Sequence, residues 1–221
     1  MKVFFLTGIG ADERMFVHIR LPEGLEAVHI PWIPALPGET LTAYAHRLFL
    51  PYHTAGQPFA LVGLSLGGIM SSEIAKVFPP VCTILISSVP VSTQLPPYYR
   101  LVRKLGLHRW VPPALWKTAA IANHYLMMKS WKDKQLMRSV IWQGDASFIR
   151  WGMDAVLAWK NEVLPYPYYH IHGTRDTIFP LRFTRPTHVL RRAGHMAVIS
   201  HAGKVNQILG SILCNTRKAG N

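Results

Sequence analysis

Residues 59–75, FALVGLSLGGIMSSEIA, join one apolar run to another through a serine set among glycines. Glycine costs conformational entropy in any regular element, and an ordinary buried serine finds backbone partners almost anywhere. The glycines therefore answer a geometric demand. Gly63-Leu64-Ser65-Leu66-Gly67 has the form G-x-S-x-G, at the end of an expected strand (Phe59 to Leu64) and the start of an expected helix (Gly67 to Phe78) bounded by Pro79-Pro80. In that context the pattern describes a strained strand-to-helix turn that lifts a serine hydroxyl clear of a sheet as a nucleophile. The helix start adds backbone N–H groups and a positive dipole end, which favour developing negative charge.

A serine hydroxyl is a weak nucleophile at its own pKa and needs a base, which needs a partner to fix its tautomer. An acid and a histidine are therefore expected at later strand ends. Residues 169–176, YHIHGTRD, read as a strand, a glycine turn and Asp176, with Pro180 closing the loop. Thr187 to Leu190 reads as the next strand, and Gly194-His195-Met196 follows it. The candidate catalytic residues are Ser65, Asp176 and His195, their joint position after successive strands carrying more weight than any one of them. An oxyanion site needs the N–H after the nucleophile and one from a loop after an earlier strand. Those donors are assigned to Leu66 and to Ile9, the latter in Thr7-Gly8-Ile9-Gly10. His170 and His172 share one face of a strand, but a metal needs further ligands, and no metal site is assigned.

The rest of the chain alternates β-rich runs with helical patterns, the sign of a parallel sheet wrapped by helices. Strands are expected at Lys2 to Thr7, Glu26 to Ile30, Phe59 to Leu64, Val81 to Ser87, Tyr168 to His172 and Thr187 to Leu190. The third and fourth are near-continuous apolar runs, as strands covered on both faces should be. Helices are expected at Thr40 to Phe49, Gly67 to Phe78 and Ala202 to Leu213. Between Val91 and Leu164 the strand signals cease, so residues 92–164 are read as a helical cap inserted into a single domain of 1–221. Six of the seven tryptophans lie in it (Trp110, Trp116, Trp131, Trp142, Trp151, Trp159), with Met127, Met128, Met137 and Met153. Such side chains can line an apolar pocket, although for any one of them packing onto the body is the default.

A chain of 221 residues suits one α/β domain with a sizeable core. Its net charge of +13 invites nucleic acid or an anionic membrane surface as partner. The basic residues are spread as singles and pairs such as Arg103-Lys104 and Arg191-Arg192, with no nucleic-acid-binding signature, so a solvated basic surface is expected. Peripheral contact with anionic membranes is kept as a further reading. No run is apolar over the ~18 residues of a membrane span, and MKVFFLTGIG reads as strand and turn, not as a signal peptide. A soluble cytoplasmic protein is expected. Cys82 and Cys214 are too few for a disulfide framework and are expected as small buried hydrophobes.

GLSLGG, HGTRDTIFP and AGHMAV together resemble the α/β-hydrolase superfamily over nearly the whole chain, with TGIG standing where many members carry HGxG. The resemblance implies a doubly wound, mostly parallel sheet of about six strands in the order 2-1-3-4-5-6, without the family's antiparallel edge hairpin. It places a cap where the family has its lid, and a ligand site at the switch point between the first and third strands. It implies acyl transfer through a covalent intermediate on Ser65, with His195 as base, Asp176 as its support, Ile9 and Leu66 as oxyanion donors, and no cofactor. An apolar, tryptophan-rich cap favours a carboxylic ester of a small or hydrophobic acyl group. A thioesterase acting on an anionic carrier such as coenzyme A is the runner-up, motivated by Arg100, Arg103, Lys104 and Arg109. A catalytically silent receptor of the same fold is the reading from another class.

Overall fold

The computed structural model describes residues 1–106, 110–125, 128 and 130–219, so that Arg109 and Met127 lie outside the described residues. Six strands, β1 (Lys2–Leu6), β2 (Glu26–His29), β3 (Phe59–Leu64), β4 (Cys82–Ile86), β5 (Tyr168–Gly173) and β6 (His188–Leu190), form one sheet. Their order is β2-β1-β3-β4-β5-β6, and every pairing is parallel. The helices are α1 (Leu41–Phe49) and α2 (Leu66–Ile74), then α3 (Tyr98–Leu105), α4 (Pro113–Tyr125), α5 (Trp131–Gln143) and α6 (Ala146–Ala158) between β4 and β5, then α7 (Ala197–Ser200) and α8 (Ala202–Ala219).

Parallel neighbours need crossover connections, which put helices on both faces of the sheet. The two-residue side-chain period sorts the core accordingly. Phe4, Leu6 and Leu61 face α1 and α2, against Tyr44, Leu48, Met70 and Ile74. Val3, Phe5, Val62, Leu64, Ile84 and Ile86 face the other side, where α8 brings Val205, Leu209 and Leu213. With β2 on one side of β1 and β3 on the other, the connections after β1 and β3 leave in opposite directions. The crevice between them is where an open α/β sheet places a ligand.

The helices described between β4 and β5 leave and rejoin the sheet at one place. Ser92 donates its N–H to the Asn161 carbonyl at 2.7 Å, and Asn161 Nδ2 donates to the carbonyls of Pro90 and Val163. Beside them Glu73, fully buried in α2, is paired with Lys76 at 2.6 Å and accepts the Trp159 Nε1–H at 2.8 Å. Trp159→Phe keeps most of the ring packing but leaves a buried carboxylate oxygen without its donor. We expect a loss of about 1–3 kcal/mol, read as a lower urea midpoint at unchanged slope.

Several boundaries differ from the sequence expectation. The second helix ends at Ile74 and not Phe78: Val77 and Phe78 N–H groups both turn back to the Ile74 carbonyl, because the residue before Pro79 is denied helical geometry. The last helix runs on to Ala219 instead of stopping at Leu213, as no proline interrupts 214–219. Cys214 is exposed on that helix, which corrects its reading as a buried hydrophobe. It follows Ile212 and Leu213 in sequence but has turned past the face they bury. Cys82 is buried, and burial pushes its thiol up to about 11. Trp159 is buried and Trp151 packs on Tyr44 with ring centroids 4.4 Å apart, whereas Trp110, Trp131 and Trp142 are exposed. Among the described residues no helix is long and apolar enough to cross a membrane.

Candidate active site

Ser65 joins β3 to α2 with φ 54° and ψ −118°, a conformation that L-residues rarely adopt and that persists only where its surroundings impose it. Two hydrogen bonds impose it here. Ser65 N–H donates to the Ile86 carbonyl at 3.0 Å, and the buried Ser88 hydroxyl donates to the Ser65 carbonyl at 2.6 Å. The flanking glycines serve by being small. A Cβ on Gly63 would overlap the backbone of Gly67, one on Gly67 would overlap the Leu6 carbonyl at the end of β1, and one on Gly68 would overlap Ser88 Oγ. Since Gly67 faces backbone at the sheet's centre, nothing there can swing aside. We expect Gly67→Ala to destabilise the fold by about 3 kcal/mol or more, measured as a drop in thermal midpoint.

Asp176 lies in the turn after β5, and His195 follows β6. Their loops cross closely enough that a Cβ on Gly173 would overlap the Ala193 carbonyl. Asp176 Oδ1 accepts the Ile178 and Phe179 N–H groups, both at 2.9 Å, which aims Oδ2 at His195 Nδ1, 2.8 Å away. His195 Nε2 lies 2.8 Å from Ser65 Oγ, and all three side chains are buried. Burial alone would raise the Asp176 pKa. The His195 imidazole, through charge and hydrogen bond, with His172 and the backbone, outweighs it and holds the carboxyl below its ordinary value. An ionised carboxylate only accepts, so Nδ1 carries the proton and Nε2 is left to receive the serine's.

The predicted oxyanion donors stand on the same crevice. Gly8 passes beside the serine, where a Cβ would sit 3.5 Å from Ser65 Cβ. Its carbonyl is held by the Ala11 N–H and Trp32 Nε1–H, each at 3.1 Å, and Gly10 closes the turn at φ 65°. Ile9 and Leu66 both line the cavity above Ser65. Among the described residues neither N–H is engaged by another backbone carbonyl.

His170 and His172 find each other. His172 Nε2–H donates to the Phe179 carbonyl at 2.7 Å, leaving Nδ1 to accept from His170 Nε2 at 3.0 Å. Burial first, then the neighbouring imidazole, pushes His170 down to about 3, and burial lowers His172 as well. The pair is neutral and props the loop that carries Asp176. Sequence pointed to these histidines only as a shared strand face. Ser88 and Trp32, which hold the Ser65 and Gly8 carbonyls, left no local signal in it.

The cavity, about 450 Å³, is walled by Tyr99, Val102, Trp116, Ile141, Met153 and Val156 from helices α3, α4, α5 and α6. Lys117 is the one lining cation among the described residues, and its ammonium donates to the Trp142 and Gly144 carbonyls. Arg100, Arg103 and Lys104 are exposed and stand outside the lining.

A six-stranded parallel sheet with a serine, a histidine and an aspartate hydrogen-bonded in sequence at its switch point has the architecture of the α/β hydrolases. The model of the alpha/beta hydrolase family matches residues 3–208, and the chain belongs to that family. Among solved structures, a thermophilic esterase from Thermogutta terrifontis superposes with a TM-score of 0.76 at 18% identity, covering 98% of this chain and 90% of that one. A hydrolase from Pseudomonas aeruginosa gives 0.73 at 14% identity over 96% and 89% of the two chains. A structure from work on the carboxylesterases of Nitrososphaera gargenis gives 0.72 at 16% identity over 99% and 91%. At such identities the likeness is one of fold. No curated protein matches the sequence.

Proposed function

We propose that this chain is a serine hydrolase that cleaves carboxylic esters carrying an apolar acyl group. The observation that carries the reading is the Ser65–His195–Asp176 chain, with 2.8 Å at each link, opening into a mostly apolar cavity. The esterases among its structural neighbours support it. Ser65 Oγ attacks the carbonyl carbon while His195 Nε2 takes its proton. The Ile9 and Leu66 N–H groups hold the negative oxygen, and the dipole of α2 favours it. Collapse expels the alcohol, which receives the proton from His195, and leaves the acyl group on Ser65. Water, deprotonated by the same nitrogen, releases the acid and restores the hydroxyl. Asp176 keeps Nδ1 protonated and supports the imidazolium in each half. In this reading residues 92–164 act as a cap whose inner wall selects the acyl group.

The lining favours an ester over a thioester on a phosphorylated carrier, because its one cation already donates to two backbone carbonyls. A silent receptor would have no need of all three groups. With p-nitrophenyl esters of increasing acyl length, kcat/KM should rise by up to about fourfold per methylene until the cavity is full, as each buried CH₂ contributes about 0.8 kcal/mol. Acyl-CoA thioesters of matched chain should be turned over more slowly. A flat series, or one that falls from acetate onward, would refute the apolar acyl assignment.

A further inference from the structure

Helix α3 is amphipathic, with sequence YYRLVRKL. At the helical angle of 100° per residue, Tyr98, Tyr99, Leu101, Val102 and Leu105 share one broad arc, and Arg100, Arg103 and Lys104 share the opposite one. None of its eight residues is fully buried. Tyr99 and Val102 close on the cavity, but Leu101 and Leu105 on the same apolar arc are 56% and 55% exposed. The apolar arc is thus wider than the surface it covers. The next described residue after the helix and its Gly106 cap, Trp110, is 85% exposed. In the sequence, residues 92–143 hold nine Lys and Arg against one acid, Asp133, while α6, which packs on α3, carries Arg150 and Asp154. Asp133 lies 2.8 Å from His18.

We infer that α3 docks on an anionic lipid surface. Cations with exposed leucine and tryptophan are the composition of an interfacial helix, whose apolar side chains enter the acyl boundary while lysine and arginine meet the headgroup phosphates. Nucleic acid would satisfy the cations and leave Leu101 and Leu105 in water. A bilayer satisfies both sets at once. Tyr98, Tyr99 and Val102 line the cavity from the same helix, so docking sets the cavity beside the layer in which apolar esters dissolve. The inference does not depend on the hydrolase reading, since Arg100, Leu101, Arg103, Lys104 and Leu105, which would meet the bilayer, stand outside the cavity lining.

The test is sedimentation of the full chain with phosphatidylcholine vesicles, with and without phosphatidylglycerol, repeated on Ser65→Ala. Both proteins should sediment with the anionic vesicles only and be released at about 0.5 M salt, where charge attraction is screened. Replacing Arg100, Arg103 and Lys104 together by Gln should weaken binding on the order of a hundredfold, at about fivefold per cation. The double variant Leu101→Asp, Leu105→Asp should weaken it at least as much, while turnover of a short soluble ester stays unchanged. Equal binding to both vesicle types, no binding to either, or native binding by the double variant would overturn the proposal. So would capture of duplex DNA by native protein and double variant alike, which would assign the cations to nucleic acid.

Discussion

We expect Ser65→Ala to abolish labelling by a fluorophosphonate and to lower ester turnover on the order of 10⁶-fold, the cost of removing a nucleophile that shares its catalysis with a base. The expectation rests on the distances, because the probe phosphonylates a serine only where a base takes its proton and N–H donors receive the new charge. Ser65 has His195 Nε2 at 2.8 Å and the Ile9 and Leu66 amides on the same crevice. The variant should keep its fold: the φ of 54° is imposed by Ile86 and Ser88 through backbone atoms that alanine retains. An unlabelled native protein, or a labelled variant, would end the hydrolase reading. Measuring the midpoint of both proteins separates lost chemistry from lost structure.

What was legible in the sequence follows from how locally each demand acts. The turn at Ser65 excludes side chains at Gly63, Gly67 and Gly68, so its signature is compressed into six residues. Asp176 and His195 were found through chain order, because each must follow a strand of the same sheet. The sheet order followed from the same alternation of elements. The supports could not be read this way. Ser88 lies 23 positions beyond the carbonyl it holds, and Trp159 lies 86 beyond Glu73; such pairs exist only once β3, β4 and the inserted helices have packed. The His170–His172 pair illustrates the converse, for its spacing was visible while its purpose depended on the Phe179 carbonyl. In the inserted helices, tryptophan content alone could not separate Trp159, which is buried, from Trp110, which is in water.

Asp176→Asn tests whether the acid works by charge and tautomer or only by shape. The Ile178 and Phe179 N–H groups, both at 2.9 Å, will claim the amide oxygen of the asparagine, so its NH₂ must face His195 Nδ1. That nitrogen then has to accept, the ring proton moves to Nε2, and the nitrogen that faces Ser65 can no longer receive a proton. We expect kcat to fall by about 10⁴ with little change in KM, a magnitude known for this exchange in a Ser-His-Asp protease. Stability carries a second signature. Because the folded pKa of Asp176 lies below its unfolded value, the carboxylate contributes stability that is fully present above about pH 4 and lost as pH falls through the lower folded value. Native protein should therefore be the more stable at pH 7, and the two urea midpoints should converge on acidification through that window. A variant that kept its rate, or whose midpoint ran parallel to the native one at every pH, would leave Asp176 as a turn residue and no more.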